Sequence, residues 1–505
     1  MVKSAIRPLL LLATVIAGGC APPLSLVDRP CPCGTGFTCC AASNVCVRDG
    51  DACGGPATNA PMAYVLTPMV RQGGTLLVTL TGSDGTAPTT NRNNFTVSMH
   101  PDAPSSYDVT IPHGAPLGDV DVRFTAKGGV STQTRAVFTV TEITVSPTGS
   151  DAGHGTRADP FRTLKKAISV ADSGDIIQLL NDPVGYSVFT GEDRESSLPR
   201  KVTLRGESPT DTRLITLLMF SGDAEIKNLK FEWRAFVTEP GSVVKFDNVV
   251  SLSGLVVKST AARARIELTG GSALRSGEFP ALFVQAPDVT IKMSGGTSID
   301  KGGENGGEAV RLEGAAPIVD VSGGSISSTG SNALVDLGGG TFTVKQWEVY
   351  GALNFAHPEG VATIEATTFR RSGTNGRAGI AFSGRSLSVQ ESTFVEMGIT
   401  QDSPDGKVVV HGCRFTQFTE PAYVLTAGSL DLGNQQEPGY NMFIGLPSRA
   451  GIVPPALSVL AKPGMAWATS RATSLNGLVP HPAAVMGPAK TPEYEISDKV
   501  PVNFY

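Results

Sequence analysis

Short runs of alternating apolar and polar residues dominate the chain from about residue 61 to residue 445. Between residues 61 and 142, such runs occur at 76–80, 95–99, 120–124 and 136–140, and Gly-, Asn- and Pro-rich turns separate them. Alternation with a period of two residues is typical of strands that bury one face. Strands at this spacing predict a small antiparallel β-sandwich over 61–142.

A longer repeat begins near residue 143. An inward apolar residue is followed two positions later by a turn residue and then by further inward positions, and this motif recurs every 20 to 28 residues. Repeats of this length indicate a solenoid, whose rungs bury their apolar faces only by stacking. We therefore predict a parallel β-helix over 143–445, with an array of β-sandwiches as the alternative. The apolar anchors are Ile226, Phe246, Leu268, Met293, Val321, Val344, Ile364, Val389 and Val410.

Two columns of residues test this alignment. The turn column is rich in Asn and Gly, which adopt left-handed backbone at little steric cost. A second column carries Phe369, Phe394 and Phe415, which we expect to stack in a dry interior. The turn column contains Asn228, Asn248, Gly270, Gly295, Gly323, Gln346, Ala366, Glu391 and Gly412. Cys413 falls on an inward position beside this turn, so we predict a buried, inert thiol.

One helix is predicted within this β-rich sequence. Apolar residues at Phe161, Leu164 and Ile168 follow helical periodicity, which places a helix at about 160–171. Asp159 is suited to the N-cap position and Pro160 to the first turn. The segment after 445 turns Pro-rich, and we expect 446–505 to form a C-terminal cap.

The first residues predict export. Lys3 and Arg7 precede an apolar stretch too short to span a bilayer, as in a signal peptide covering 1–19. Small residues before Cys20 resemble the bacterial lipobox, which implies a lipid anchor on Cys20 and an outer-membrane lipoprotein of the cell envelope. Ordinary signal cleavage is the alternative.

Six cysteines cluster within residues 20–60, and their even number in a short exported segment predicts a disulfide-rich knob of unknown pairing. A metal site is the alternative, but Cys33 and Cys39 are too widely spaced for a usual zinc knuckle. The six are Cys31, Cys33, Cys39, Cys40, Cys46 and Cys53.

Two stretches resemble known families. The order of strand, Gly-rich turn, Pro-Phe-x-Thr-Leu helix and Gly-Asp-x-Ile strand over 143–180 resembles the entrance to right-handed parallel β-helices. It is most similar to the pectin-lyase-like family of the domain of unknown function 1565, in which the helix caps the solenoid. The stretch 109–118 resembles the late-strand signature of IPT/TIG immunoglobulin-like domains, which implies a spacer or interaction module.

Composition excludes some functions. Lys and Arg total 41 against 46 Asp and Glu, for a net charge of −5, which disfavours nucleic-acid binding. A hydrophobic content of 40% excludes disorder throughout. The fold class predicted is therefore all-β: a right-handed parallel β-helix with a capping helix, a small immunoglobulin-like sandwich and a disulfide-rich knob.

Candidate chemistry is sparse. Pectin-lyase-like β-helices include lyases, hydrolases and esterases, but the Arg-x-Pro-x-x-Arg run of pectate lyases and the Asn-Thr-Asp and Arg-Ile-Lys runs of polygalacturonases are absent from this sequence. The best candidate lies in the longest rung, where Asp300, Glu304 and Glu308 are candidate calcium ligands and Lys301 is a candidate base. The alternative is a solvated insertion. Arg370, Arg371, Arg377 and Arg385 are candidate cations for an acidic glycan.

The sequence therefore favours a non-catalytic surface lipoprotein with a structural, adhesive or polysaccharide-binding role. An extracellular polysaccharide lyase or glycoside hydrolase acting on acidic glycan is the alternative, for which grouped carboxylates and a base on one flank are required. Protein adhesion through the sandwich is a third hypothesis. No cofactor is expected unless calcium binds.

Overall fold

The computed structural model describes the chain in segments: residue 33 and residues 37–40, 45–48, 61–103, 105–187, 195–303, 307–372, 378–418, 423–425, 428–431, 441–445, 459–461 and 474–476. Predictions for the signal peptide and for Cys20, Cys31, Cys53, Glu304 and Arg377 lie outside these residues, as does most of the predicted cap over 446–505. No helix within the described segments has the length and apolar character needed to cross a membrane.

The cysteine-rich segment contains an antiparallel hairpin of strands Phe37–Cys40 and Val45–Arg48. Cys33 and Cys46 form a disulfide, and Cys39 is also disulfide-bonded. The prediction of a disulfide, rather than a metal ligand, is confirmed for Cys33 and Cys46. The remaining pairing stays a prediction.

Two four-stranded sheets follow and enclose one apolar core. Val78, Tyr107, Val120 and Phe138 lie in this core and are almost fully buried. Every neighbouring pair of strands is antiparallel except Met69–Arg71 with Ser131–Thr141, which is parallel. In spatial order, the first sheet contains Met62–Val65, Thr75–Thr81, Ser106–Thr110 and Thr96–Met99, and the second contains Met69–Arg71, Ser131–Thr141, Gly118–Thr125 and Thr89–Thr90.

From residue 143 the chain forms a β-solenoid with three faces, and within each face successive strands pair in parallel. This confirms the mostly β fold class and the solenoid. Face 1 contains Ile143–Val145, Ile176–Leu179, Val202–Arg205, the first halves of Ala224–Phe231 and Val243–Ser251, Arg265–Thr269, Thr290–Ser294, Ile318–Ser322, Thr341–Lys345, Val361–Glu365, Ser386–Gln390, Lys407–His411 and Ser429–Asp431.

Faces 2 and 3 complete each rung. Face 2 contains Asp182–Ser187, Thr212–Ile215, the second halves of Ala224–Phe231 and Val243–Ser251, Ala273–Ser276, Ser298–Lys301, the first halves of Ser325–Asp336 and Glu348–Phe355, Thr368–Arg370, Thr393–Val395, Arg414–Phe418, Met442–Gly445 and Ser474–Asn476. Face 3 contains Glu195–Leu198, Leu217–Phe220, Ala235–Val237, Leu255–Val257, Leu282–Val284, Val310–Leu312, the second halves of Ser325–Asp336 and Glu348–Phe355, Ala378–Phe382, Gly398–Gln401, Tyr423–Leu425 and Val459–Ala461.

The predicted register is confirmed. The nine anchors, from Ile226 to Val410, form one unbroken series along face 1, in which each of the first eight pairs directly with the next. All nine residues of the turn column have φ between 49° and 78°. Phe369, Phe394 and Phe415 are buried and stack with their rings nearly parallel, at centroid distances of 4.5 and 4.6 Å.

The outward side of face 1 carries a charge ladder. Glu225, Lys245, Glu267, Lys292 and Asp320 pair in order on five consecutive rungs, so the sign of the charge alternates at every step. The Lys245 Nζ lies 3.5 Å from a Glu267 carboxylate oxygen. Opposite charges on neighbouring strands stabilise their pairing, whereas like charges oppose it.

The helix is shorter than predicted and spans Leu164–Val170. Asp159 is not its N-cap; Thr163 takes that position, and its hydroxyl accepts a hydrogen bond from the Lys166 N–H. The Asp159 carboxylate instead accepts bonds from the backbone N–H and ring Nδ1 of His154. Pro160 therefore precedes the helix instead of forming its first turn.

The sandwich packs against the entrance of the solenoid. Asp175 is fully buried and accepts hydrogen bonds from His113 Nδ1 at 2.5 Å and from the Gly114 N–H at 2.8 Å. Gln72 of the sandwich is also buried; its amide donates to the Ala115 carbonyl and accepts from the Ile176 N–H. The backbones of Gly114 and Gly174 approach so closely that a Cβ on either would crowd the other. These contacts join the two parts through specific polar and steric complementarity.

Candidate functional site

The turns at the edge between face 2 and face 3 differ in length from rung to rung. Early rungs turn with only three residues, at 232–234 and 252–254. The next rungs use 277–281 and then 302–309, so the connection lengthens along the edge. The step from the three-residue turns to the longer turn at 277–281 shapes a cleft, and the long rung singled out in the sequence lies on the far side of that turn.

This cleft, which we call the aromatic cleft, has a volume of about 380 Å³. Its walls come from three consecutive turns and from face 3, and they combine aromatic rings with charged groups. The lining residues are Leu217, Glu232, Trp233, Arg234, Phe236, Leu252, Ser253, Ser276, Gly277, Glu278 and Phe279.

Two aromatic side chains of the cleft are open to solvent. Trp233 is 37% exposed and Phe279 is 50% exposed. Among the side chains whose burial the structure describes, no other Phe, Trp or Tyr is exposed. Most other Phe and Trp rings described in the solenoid are buried in its core, so the exposure of both rings in one cleft marks a local departure from that packing.

Arg234 links the aromatic and charged parts of the cleft. Its guanidinium lies 4.0 Å from the centre of the Phe279 ring, within the range of a cation–π contact. Partial burial lowers the pKa of Arg234, and the neighbouring Glu278 carboxylate opposes that shift. The guanidinium Nε donates to the Ser253 carbonyl at 3.4 Å, which orients its plane.

The remaining charges of the cleft are balanced. Glu232 accepts hydrogen bonds from Arg213, including one from Nε at 2.9 Å, and Lys230 Nζ lies 3.9 Å away. The two carboxylates of the lining thus have cations beside them, Arg213 and Lys230 for Glu232 and Arg234 for Glu278. A cleft with this balance favours a polar ligand without a large net charge.

A row of polar side chains crosses face 2 next to the cleft. Arg275, Asp300, Ser327, Tyr350 and Arg370 pair in order on consecutive rungs and point outward. Adjacent rungs are about 4.8 Å apart, so the row presents one polar group at each step. The Tyr350 hydroxyl donates to Glu348, and this bond is the main cause of the raised pKa of Tyr350.

The predicted calcium ligands face different partners. Asp300 accepts hydrogen bonds from Ser327 at 2.8 Å and from Ser298 at 3.3 Å. Glu308 forms an ion pair with Arg311 at 2.8 Å. Within the described segments, no group of three or more His, Cys, Asp or Glu side chains is arranged to hold a metal ion, and Glu304 lies outside those segments.

Lys301, the candidate base, is buried and not exposed to a ligand at the surface. Its side chain is almost fully buried, and Nζ donates to the carbonyls of Gly277 and Gly302. It therefore ties the long turn to the turn of the preceding rung. This contact holds the wall of the aromatic cleft, because Gly277 belongs to its lining.

Cys413 occupies the predicted interior position. It is buried, and desolvation raises the pKa of its thiol to about 12. Its backbone N–H donates to Asn441 Oδ1, and its thiol donates to backbone carbonyls including that of His411. These features are those of a packed thiol that resists ionisation.

Sequence reasoning did not identify the aromatic cleft. Trp233, Arg234 and Phe279 belong to no recognisable motif, and Phe279 lies two rungs away from Trp233 and Arg234. A signal was nevertheless present: large aromatic residues in turns that the repeat alignment places outside the core. Since the predicted stacking places the turns of successive rungs next to each other, these aromatic residues are expected at one edge of the solenoid.

Comparison with known proteins supports the fold at the solenoid entrance. Residues 147–264 match the model of the family described as "Protein of unknown function (DUF1565)". This stretch includes the capping helix, the first rungs and the turns that contribute Trp233 and Ser253 to the cleft. Searches of curated proteins and of solved structures gave no match.

Proposed function

We propose that this protein is a non-catalytic lipoprotein of the cell envelope that presents its β-solenoid as a polysaccharide-binding surface. The observation that carries the proposal is the grouping of Trp233 and Phe279, both exposed, in one cleft with balanced charges. An aromatic ring packs against the apolar C–H face of a sugar, while polar neighbours bond to its hydroxyl groups. Arg234 and Ser253 supply such polar neighbours.

The shape of the solenoid suits a polymer. The aromatic cleft opens beside the polar row from Arg275 to Arg370, so a chain bound in the cleft can continue along face 2. Several weak contacts of this kind add affinity when they lie on one linear ligand. The polar row also supplies hydrogen-bonding groups at regular steps.

Export and anchoring belong to the same proposal. The segment 1–19 would serve as the signal peptide and Cys20 as the lipidated residue, with the outer membrane as the site of display. The disulfide between Cys33 and Cys46 is in keeping with an oxidising compartment. The sandwich is proposed as an IPT/TIG-like module that holds the solenoid away from the anchor. Adhesion to a protein through this module remains a hypothesis.

The enzymatic alternative is a lyase or hydrolase acting on an acidic glycan. A lyase needs a base near the C5 proton of the uronate and a cation or metal near its carboxylate. The burial of Lys301 against two carbonyls favours a structural role for this lysine over that of a base. Binding without turnover is therefore the function that the described residues support best.

The test is a panel of neutral and acidic polysaccharides, scored for binding and for release of unsaturated or reducing-end products, with and without calcium. We expect binding without product release, and an affinity at least tenfold lower in Trp233→Ala and Phe279→Ala. Leu337→Ala is the matched control, because Leu337 is also exposed but lies outside the cleft. Equal affinity in all variants would contradict the proposed site. Release of unsaturated or reducing-end products by the unsubstituted protein would establish the enzymatic alternative.

A further inference from the structure

A second cleft lies between the sandwich and the entrance of the solenoid, far along the chain from the aromatic cleft. This interdomain cleft has a volume of about 420 Å³. One wall comes from the sandwich, including Arg71 and Thr75, and the other from the first solenoid loop and helix, including Asp151, His154 and Lys166. The contacts of Asp175 with His113 and Gly114 hold the two walls together, so the cleft is formed before any ligand arrives.

Two cations share one aromatic ring in this cleft. The guanidinium of Arg71 lies 5.9 Å and the Lys166 Nζ 5.8 Å from the centre of the Phe161 ring. Neither side chain forms an ion pair within the described segments. Two positive groups from separate parts of the chain therefore converge over one ring, and neither is in an ion pair with a described residue.

The nearby carboxylates are engaged elsewhere. Asp151 accepts hydrogen bonds from the backbone N–H groups of Arg162 and Thr163 and from the Thr163 hydroxyl. Asp159 is bonded to His154. The acceptor oxygens of Asp151 thus close the solenoid loop and do not neutralise Arg71 or Lys166.

The environment of Arg71 adds a second indication. Its side chain is half-buried, and desolvation lowers the pKa of Arg71, while the Asp175 charge opposes that shift. A half-buried guanidinium without a paired anion carries a desolvation cost that an incoming oxyanion would offset. The guanidinium is held in place by a hydrogen bond of 2.9 Å from Nη1 to the Gln72 carbonyl.

We propose that the interdomain cleft binds the oxyanion of a small ligand, a carboxylate or a phosphate, between Arg71 and Lys166. The volume is sufficient for a group the size of a charged monosaccharide, and the two cations provide the charge that the balanced aromatic cleft lacks. This site does not depend on polysaccharide binding at Trp233. An acidic saccharide and free phosphate are the two sources of such an anion.

The experiment measures binding of trigalacturonate and of inorganic phosphate separately, by calorimetry on the mature chain at low salt. We expect at least one probe to bind, with an affinity that falls as salt rises and drops at least tenfold in Arg71→Gln and in Lys166→Gln. Lys165→Gln is the matched control, since Lys165 is a lysine on the same helix that does not line the cleft. Trp233→Ala should leave this binding unchanged, which separates the two sites.

Two outcomes would overturn the proposal: neither probe binds, or binding is unaltered in both Arg71→Gln and Lys166→Gln. Selective binding of trigalacturonate assigns the site to an acidic saccharide, and binding of phosphate alone assigns it to a small free anion. Thermal unfolding of each variant reports whether it is folded. Lys166 is only partly buried, so Lys166→Gln keeps the test decisive even where Arg71→Gln perturbs the sandwich.

Discussion

The fully buried carboxylate of Asp175 accepts a hydrogen bond of 2.5 Å from His113, a residue 62 positions earlier in the chain. The same carboxylate accepts hydrogen bonds from the backbone N–H groups of Gly114 and Asp172. One side chain thus satisfies donors from the sandwich and from the solenoid. Removal of the carboxylate would leave all three donors without an acceptor, so we expect the interface to depend strongly on this one side chain.

We predict that Asp175→Ala loosens the join between sandwich and solenoid and costs about 3 kcal/mol of stability, because it leaves buried donors unpaired. Hydrogen–deuterium exchange should become faster at 112–115 and 172–176 while the distant rung at 361–370 stays protected. Asp102→Asn, at an exposed position, is the control. Unchanged exchange at 112–115 in Asp175→Ala would show that the join does not depend on this carboxylate.

The turn column makes a paired prediction about stability. Ala366 has a φ of 49°, a conformation that costs an L-residue about 1 kcal/mol, whereas Gly412 has a φ of 64° on the same column. We expect Ala366→Gly to raise the free energy of unfolding by about 1 kcal/mol and Gly412→Ala to lower it by about the same amount. Thermal or denaturant unfolding measures both changes.

Ala362→Gly supplies the control for this pair. Ala362 lies in a face 1 strand and is not among the positive-φ residues, so glycine there should destabilise the solenoid. A loss of stability in Ala366→Gly similar to that in Ala362→Gly would contradict the left-handed assignment of the turn.

The buried thiol of Cys413 makes a prediction about pH. Desolvation raises the pKa of the folded thiol to about 12, whereas an unfolded cysteine ionises near pH 8.5. The contribution of this thiol to stability is therefore complete below about pH 8.5 and is lost as the pH rises toward 12. Iodoacetamide at pH 8 should leave the peptide containing Cys413 unmodified until denaturant is added, as read by mass spectrometry.

Cys413→Ala should remove the part of the alkaline loss of stability that comes from this thiol while the chain remains folded. Rapid alkylation of Cys413 in the native protein would be inconsistent with the buried position.

Local patterns predicted the solenoid well because its register is set by short-range rules. The residues of the turn column, including Gln346, Ala366 and Glu391, were assigned from spacing alone, and all adopt positive φ. The stacking of Phe369 on Phe394 followed from the same alignment. In a parallel stack, one correct rung fixes the next, since a slip by one residue would turn every inward side chain toward solvent.

What the sequence did not predict depends on contacts between distant residues. The helix began later than expected because Asp159 bonds to His154 and so is not available as a cap. The join through Asp175 requires His113, which no local pattern connects to it. The aromatic cleft could not be predicted from local patterns, because Trp233 and Phe279 come together only when turns of different length are stacked.

The charge ladder on face 1 has a consequence for how such a rod could change length. Solenoids lengthen when a segment of coding sequence is copied in tandem. Copying a single rung between Glu225 and Asp320 would set two like charges side by side, whereas copying a pair of rungs would preserve the alternation. In this stretch, insertion of an even number of rungs is therefore favoured. The constraint comes from the outward charges, because the apolar interior accepts an odd or an even number of rungs alike.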